Sequence, residues 1–207
     1  MQDLSLQLKR SLDSLNISVK EQQQIKLLKL LQQLLKWNKA YNLTAITDEN
    51  EALKLHILDS LAVAPFIEQD ELIDVGTGPG FPGLPLAILL PNKRFTLLDS
   101  NSKKIRFILQ IKHELGLDNV EAVHARVEDF SSKQFPAVIS RAFASIEDMV
   151  ELTRHLLAPG GCWLAMKAQY QNEEVDYPRL AVKEVANHAI EIPGLNAQRC
   201  LIEIRPS

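Results

Sequence analysis

LIDVGTGPGFPG, residues 72–83, places four glycines and two prolines behind a short apolar run that carries an acid. Leu72 to Val75 have the apolar, partly β-branched character of a buried strand. Gly76, Gly78 and Gly80 then offer a backbone that turns freely and carries no side chain, and the apolar stretch behind them reads as a helix. Strand, bare turn and helix start make the first unit of a doubly wound α/β fold, in which a ligand lies against the turn at the carboxyl end of the sheet.

The loop admits two frames. Gly78 to Gly83 satisfies the G-x-G-x-x-G pattern of dinucleotide-binding folds, and Gly76 to Gly80 satisfies the looser G-x-G-x-G of nucleoside-dependent methyltransferases. The position of the acid separates them. Asp74 sits at the strand end ahead of the first glycine, where a carboxylate would repel a pyrophosphate and attract a cationic amino-acid portion; S-adenosylmethionine carries an ammonium, a sulfonium and no phosphate. The second strand ends in TLLDS, so Asp99 falls about twenty residues beyond the loop, placed to bond both hydroxyls of a ribose. Val127 and Glu128, after the third strand, are expected beside an adenine. Arg141 after the fourth strand and Lys167 at the end of the fifth direct two cations into the same crevice.

Outward from the loop, strands are predicted near 71–75, 94–98, 120–124, 136–140 and 162–167, with helices near 83–90, 102–115 and 145–157. A Pro193-Gly194 turn between two apolar runs predicts a closing antiparallel hairpin. Residues 1–65 read as a helical N-terminal extension and 66–207 as the Rossmann-like domain. In the extension, Ser18 with Glu21 and Asp48 with Glu51 form capping-box patterns, and Pro65 stops the last helix.

Composition sets limits. The 207 residues carry a net charge of −3, which excludes a uniformly basic nucleic-acid binder, yet residues 1–47 hold +4 and the remainder −7. Neither a signal peptide nor an apolar run long enough to span a bilayer is visible, so a cytoplasmic protein without membrane contact is expected. Cys162 and Cys200 lack metal-site or disulfide spacing and read as buried core thiols; no metal is expected. The acid-free stretch NSKKIRFILQIKH offers Lys103, Lys104 and Arg106 to RNA phosphates, with Ile105, Ile108 and Leu109 facing inward. His56 and Asp59 are expected to cap and pack rather than to catalyse.

LKWNKAYNLT (35–44), HILDSLAVAPF (56–66), LIDVGTGPGFPGLPLAI (72–88), FTLLDSNSKKIRFI (95–108) and VISRAFASIEDM (138–149) together resemble one family. It is the bacterial 16S ribosomal RNA guanine-N7 methyltransferase family, also called glucose-inhibited division protein B. The resemblance covers residues 30–167 and is loose over the last forty. It implies a class I methyltransferase fold with a mostly parallel seven-stranded sheet, S-adenosylmethionine as donor, and 16S ribosomal RNA or the small ribosomal subunit as partner; a monomer is expected, although sequence alone does not fix the oligomeric state. It places donor contacts on Gly76, Phe81, Val127, Glu128 and Arg141, to which the reading of the loop adds Asp74, Gly78 and Asp99. Ala168 stands where related sequences carry glycine. Guanine N7 is a lone pair without a proton, so no general base is expected; Arg141 and Lys167, with Phe81 and Phe143, would position the base. Two rival readings remain: a nicotinamide-dependent oxidoreductase, and a donor-binding module without chemistry.

Overall fold

A computed structural model describes residues 2–168 and 173–207. Its centre is a seven-stranded sheet in the order β3-β2-β1-β4-β5-β7-β6. Strands β1 (Glu71–Val75), β2 (Arg94–Asp99), β3 (Val120–His124), β4 (Phe135–Ser140) and β5 (Leu157–Lys167) run parallel. β7 (Arg199–Pro206) pairs antiparallel with both β5 and β6 (Val182–Ile190), forming the hairpin read from the sequence. From β1 the chain moves outward to β2 and β3, then returns to the other side of β1 with β4. The switch point therefore lies between β1 and β4, and the crevice there is where such sheets bind ligands.

Helices α1 (Gln2–Ser14), α2 (Glu21–Tyr41), α3 (Glu49–Ala52), a π-helical turn (Leu53–Leu58) and α4 (Asp59–Leu61) precede the sheet. They bury an apolar face of Leu8, Leu27, Leu30, Leu31, Leu34 and Leu53, all 0% exposed, in one cluster with residues of the sheet and its helices as far as Leu201. Polar contacts fix how they dock. Gln23 Nε2 donates to the carbonyls of Ile88 and Leu89, the orphan acceptors at the end of α5 (Gly83–Leu89), and Lys29 pairs with Glu114 on α6 (Ser102–Leu115). Completing the described helices are α7 (Ile146–Thr153), capped by Ser145, and the single turn α8 (Tyr177–Leu180).

Several elements differ from the sequence expectation. α2 begins at Glu21, so its N-cap is Lys20, whose backbone N–H donates to the Gln23 side chain; Ser18 lies two residues outside and does not cap. The second pattern forms as read, with Asp48 accepting from the Glu51 N–H. α7 stops at Thr153, and a 3-10 turn over Arg154–Leu156 leads into a β5 that starts at Leu157 rather than 162. On α6 the inward face is Ile105, Phe107, Ile108 and Ile111; Leu109 is 49% exposed. Cys162 is buried, and burial pushes its thiol up to about 11, whereas Cys200 is only half-buried.

Candidate functional site

The loop after β1 is held by its own backbone. Gly76 and Thr77 donate their N–H groups to the Leu98 carbonyl at 2.9 and 3.1 Å, which fastens the turn to β2. Gly78 N–H donates to Asp99 Oδ2 at 2.8 Å. Gly80 and Phe81 both donate to the Thr77 carbonyl, and Gly83 N–H donates to Asp74 Oδ2 at 2.9 Å. Pro79 and Pro82 have no N–H to offer. Every N–H from 76 to 83 is thus taken within the protein, and none is left to cradle a phosphate, the task that defines a dinucleotide or nucleotide loop.

The glycines differ in their reasons. A Cβ at Gly83 would lie 2.0 Å from Leu97 Cδ2, and one at Gly80 would lie 2.3 Å from Leu84 Cδ1, so both permit packing beneath the loop. Gly78, at φ +63°, is the crest: an added Cβ would meet no atom within 4 Å. That crest is the open backbone to which a ligand can come close.

Asp74 lies under this loop, 1% exposed. One oxygen accepts from the Thr77 hydroxyl at 2.6 Å and from Gly83; the other is buried without a partner. Burial raises its pKa to about 6, against the pull of Thr77, Gly83 and Arg141. The expectation of an acid facing a ligand therefore changes: Asp74 first shapes the turn, and its unpartnered oxygen is the feature that fits an ammonium donor. Asp99, 8% exposed, accepts from Gly78 on one oxygen and from Asn101 N–H on the other, which leaves further lone pairs for ribose hydroxyls. Val127 is half-buried and Glu128 exposed, on a 3-10 turn at the carboxyl edge of β3. An acid-lined, phosphate-free crevice suits a cationic nucleoside.

Across the switch point, Arg141 follows β4. Its Nη1 donates to the Leu55 carbonyl at 2.7 Å and to Asp59 Oδ2 at 2.9 Å, both on the segment that precedes β1. The His56 ring stacks on Phe81 with centroids 4.8 Å apart, and its Nε2 lies 3.0 Å from Thr44 Oγ1. Burial, helped by Arg141, lowers His56 to about 4, so it is neutral near pH 7. Phe81 is 1% exposed under that ring, a wall of the loop and not a free platform. Phe143 is half-buried. Lys167 is 8% exposed and tied down: its Nζ bonds the Ala144 carbonyl at 2.7 Å and Glu173 at 2.8 Å. Lys167 thereby ties the end of β5 both to the loop behind β4, through Ala144, and to the chain beyond β5, through Glu173.

Arg199, at the start of β7, was not read from the sequence. Its Nε donates to Asp59 Oδ1 at 3.2 Å, so one buried carboxylate holds two arginines from strands far apart in the chain. No local pattern marks it, because the pairing depends on how the terminal hairpin returns beside β5. Lys103 and Arg106 are exposed and Lys104 half-exposed on the first turns of α6, and Arg106 lies over the Tyr41 ring at 5.8 Å. Among the described residues no group of His, Cys, Asp and Glu could hold a metal ion. None of the described helices is long and apolar enough to cross a membrane.

Comparison with known proteins gives the family and the fold. A model of the family described as GidB, rRNA small subunit methyltransferase G, matches residues 23–202. A Hydrogenovibrio crunogenus protein named ribosomal RNA small subunit methyltransferase G is 54% identical over 180 residues, 86% of this chain and 83% of that one. A Pseudomonas aeruginosa protein of the same name is 48% identical over 201 residues, 96% and 94% of the two chains. Solved structures show the fold alone. A Burkholderia thailandensis 1,6-didemethyltoxoflavin-N1-methyltransferase aligns with TM-score 0.58 at 11% identity, over 86% of this chain and 88% of that one. An Aquifex aeolicus S-adenosylmethionine-dependent methyltransferase aligns at 0.56 and 12%, over 74% and 92%.

Proposed function

Since the chain belongs to the rRNA small subunit methyltransferase G family, we propose that it transfers a methyl group from S-adenosylmethionine to N7 of a guanosine in 16S ribosomal RNA. The observation that carries the donor class is the loop over 76–83, in which every backbone N–H is already taken while Asp74 keeps an unpartnered oxygen. A pyrophosphate finds no donors there; a zwitterionic nucleoside finds carboxylates. The nicotinamide reading is thereby set aside.

When bound, S-adenosylmethionine supplies a methyl group on a sulfonium. Gly78 gives the open backbone, Gly76 the turn, Asp99 the ribose contact, and Val127 and Glu128 the edge beside the base of the donor. Arg141 stands between donor loop and acceptor, oriented by Leu55 and Asp59, and Lys167 holds the loop behind β4 in place through Ala144. Transfer to the guanine lone pair would make an N–C bond as the C–S bond breaks, leave that electron pair on sulfur and put the charge on the purine ring. No proton moves in this step, so the protein contributes by holding the base within attacking distance, worth several kcal/mol. A purine in a folded RNA is unstacked to reach such a site. Residues 1–65 act as an extension that completes the site of the 66–207 domain, and the enzyme works as a cytoplasmic monomer on the small ribosomal subunit.

The test is a single-turnover rate at saturating donor and RNA. Between about pH 7 and 8.5, above the Asp74 value, it stays flat. A unit-slope rise with pH, abolished by one Asp, Glu or His substitution, would show a general base and a target atom other than N7.

A further inference from the structure

We propose that the cavity between the N-terminal helices, the carboxyl ends of β4 and β5 and the amino end of β7 seats the target guanine, with Asp59 as the positioning residue that sets two guanidinium groups at its wall. The proposal rests on the methyl-transfer reading above and names the acceptor pocket that reading leaves open. The cavity measures about 340 Å³, room for a purine. Leu55, Ile46 and Met166 give it apolar surface, and its polar wall holds Asp59, Arg141 and Arg199 together with His56 and Lys167. It lies next to the donor loop, because His56 belongs to its lining and stacks on Phe81 of that loop with centroids 4.8 Å apart.

The geometry of the guanidinium pair follows from Asp59. Its side chain is buried, 6% exposed, and each oxygen takes one arginine: Arg141 Nη1 at 2.9 Å and Arg199 Nε at 3.2 Å. A buried carboxylate of this kind is stabilised by its partners, and each partner is held in one orientation by it. A second restraint on Arg141 comes from the Leu55 carbonyl, delivered by the π-helical turn over Leu53–Leu58, a local irregularity of the kind that recurs at functional sites. Arg199 Nη1 donates to the Gln198 carbonyl. A guanidinium has five N–H donors, so these bonds leave others for a ligand.

Guanine presents N7 and O6 on one edge, both acceptors, whereas adenine carries an amino donor in place of O6. With N7 directed at the methyl group, O6 lies beside it, within the reach of a group on the donor side of the pocket. A guanidinium donates to O6 and meets an adenine amino group donor to donor. His56, neutral near pH 7, adds no further positive charge beside a ring that becomes cationic as it is methylated. The pocket therefore selects guanine through O6, and Asp59 acts on the reaction through the arginines.

The experiment uses small ribosomal subunits that lack the methyl group, reconstituted either with guanosine or with 2,6-diaminopurine riboside at the target position. The second base keeps N7 and the 2-amino group and replaces O6 by an amino group. Wild-type protein methylates the guanosine subunit and is about 100-fold slower on the diaminopurine one. Asp59→Asn, which keeps the shape and removes the charge, lowers the single-turnover rate on guanosine about 100-fold, the scale expected of a base misplaced by about 1 Å. In that variant the ratio between the two bases shrinks, affinity for S-adenosylhomocysteine changes less than threefold, and Asp59→Glu recovers part of the rate. Equal wild-type rates on both bases, an unaffected Asp59→Asn rate, or a parallel loss of donor affinity would each overturn the proposal. Wild-type protein that leaves the guanosine subunit unmethylated would overturn the methyl-transfer reading, and the proposal with it.

Discussion

Asp74 and His56 carry opposite electrostatic signatures a few residues from the same loop. Asp74 is raised to about 6 by burial, so between about pH 4 and 6 the folded chain holds a proton that the unfolded chain has released, and stability falls as pH rises through that window. His56 is lowered to about 4, so between about 4 and 6.5 the unfolded chain holds the extra proton and stability rises with pH. The two slopes oppose each other in the wild type. Asp74→Asn removes the first, and its stability relative to wild type is expected to increase by up to about 3 kcal/mol from pH 4 to 7. Urea unfolding at stepped pH measures it; a difference constant with pH would mean that Asp74 titrates normally. The place of Asp74 before the first glycine was legible in the sequence, since it is a matter of order in the chain. That it would lie under the loop was not legible, because the burial comes from β4 and α5 closing over it. Arg199 was illegible for the same reason: its partner stands 140 residues away.

At the scale of elements, the β1–loop–α5 unit separates the needs of folding from those of binding. Gly83→Ala puts a methyl group 2.0 Å from Leu97 and 3.0 Å from Asp74, so it is expected to destabilise the fold by about 1–3 kcal/mol. Gly78→Ala meets no neighbour and strains only a positive φ, at about 1–2 kcal/mol, yet its methyl group stands on the open crest. Its main effect is expected on affinity for S-adenosylhomocysteine, read by calorimetry beside thermal unfolding; unchanged affinity would place the crest away from the donor. α6 supplies the second contrast. Lys103, Lys104 and Arg106 project from its first turns at the carboxyl edge of the sheet, and replacing all three by alanine is expected to raise the KM for RNA and spare donor affinity. Every phosphate that the protein then leaves unneutralised lowers the slope of log affinity against log salt by roughly 0.7–0.9. An unchanged slope would make the strip a solvated face. The parallel strands were legible because a strand buried on both faces is written as a short apolar run. The early start of β5 was not, because Pro159, Gly160 and Gly161 read locally as a turn, while pairing of Leu157 with Phe135 draws them into the strand.

For the whole molecule, sheet order and helical extension act together. The order 3-2-1-4-5 fixes a crevice between β1 and β4, the terminal hairpin brings Arg199 to its rim, and the N-terminal helices bring Asp59 to meet both arginines. His56, which lines the proposed acceptor pocket, stacks on Phe81 of the loop after β1, so the two sites adjoin, as a reaction governed by positioning requires. The fold class was readable from the alternating strands and helices of residues 71–167 and the donor class from the loop and acids of 71–99; the proposed acceptor pocket was not, since Ile46, Leu55, His56, Asp59, Arg141, Met166, Lys167 and Arg199 meet only after folding. The most direct test of the central claim is mass spectrometry of nucleosides from 16S ribosomal RNA, after small subunits lacking the modification are incubated with the protein and S-adenosylmethionine. The account predicts one N7-methylguanosine per RNA molecule, dependent on both protein and donor. A methyl group on another nucleoside or another atom of guanine, or no methylation by a protein that binds the donor, would contradict it.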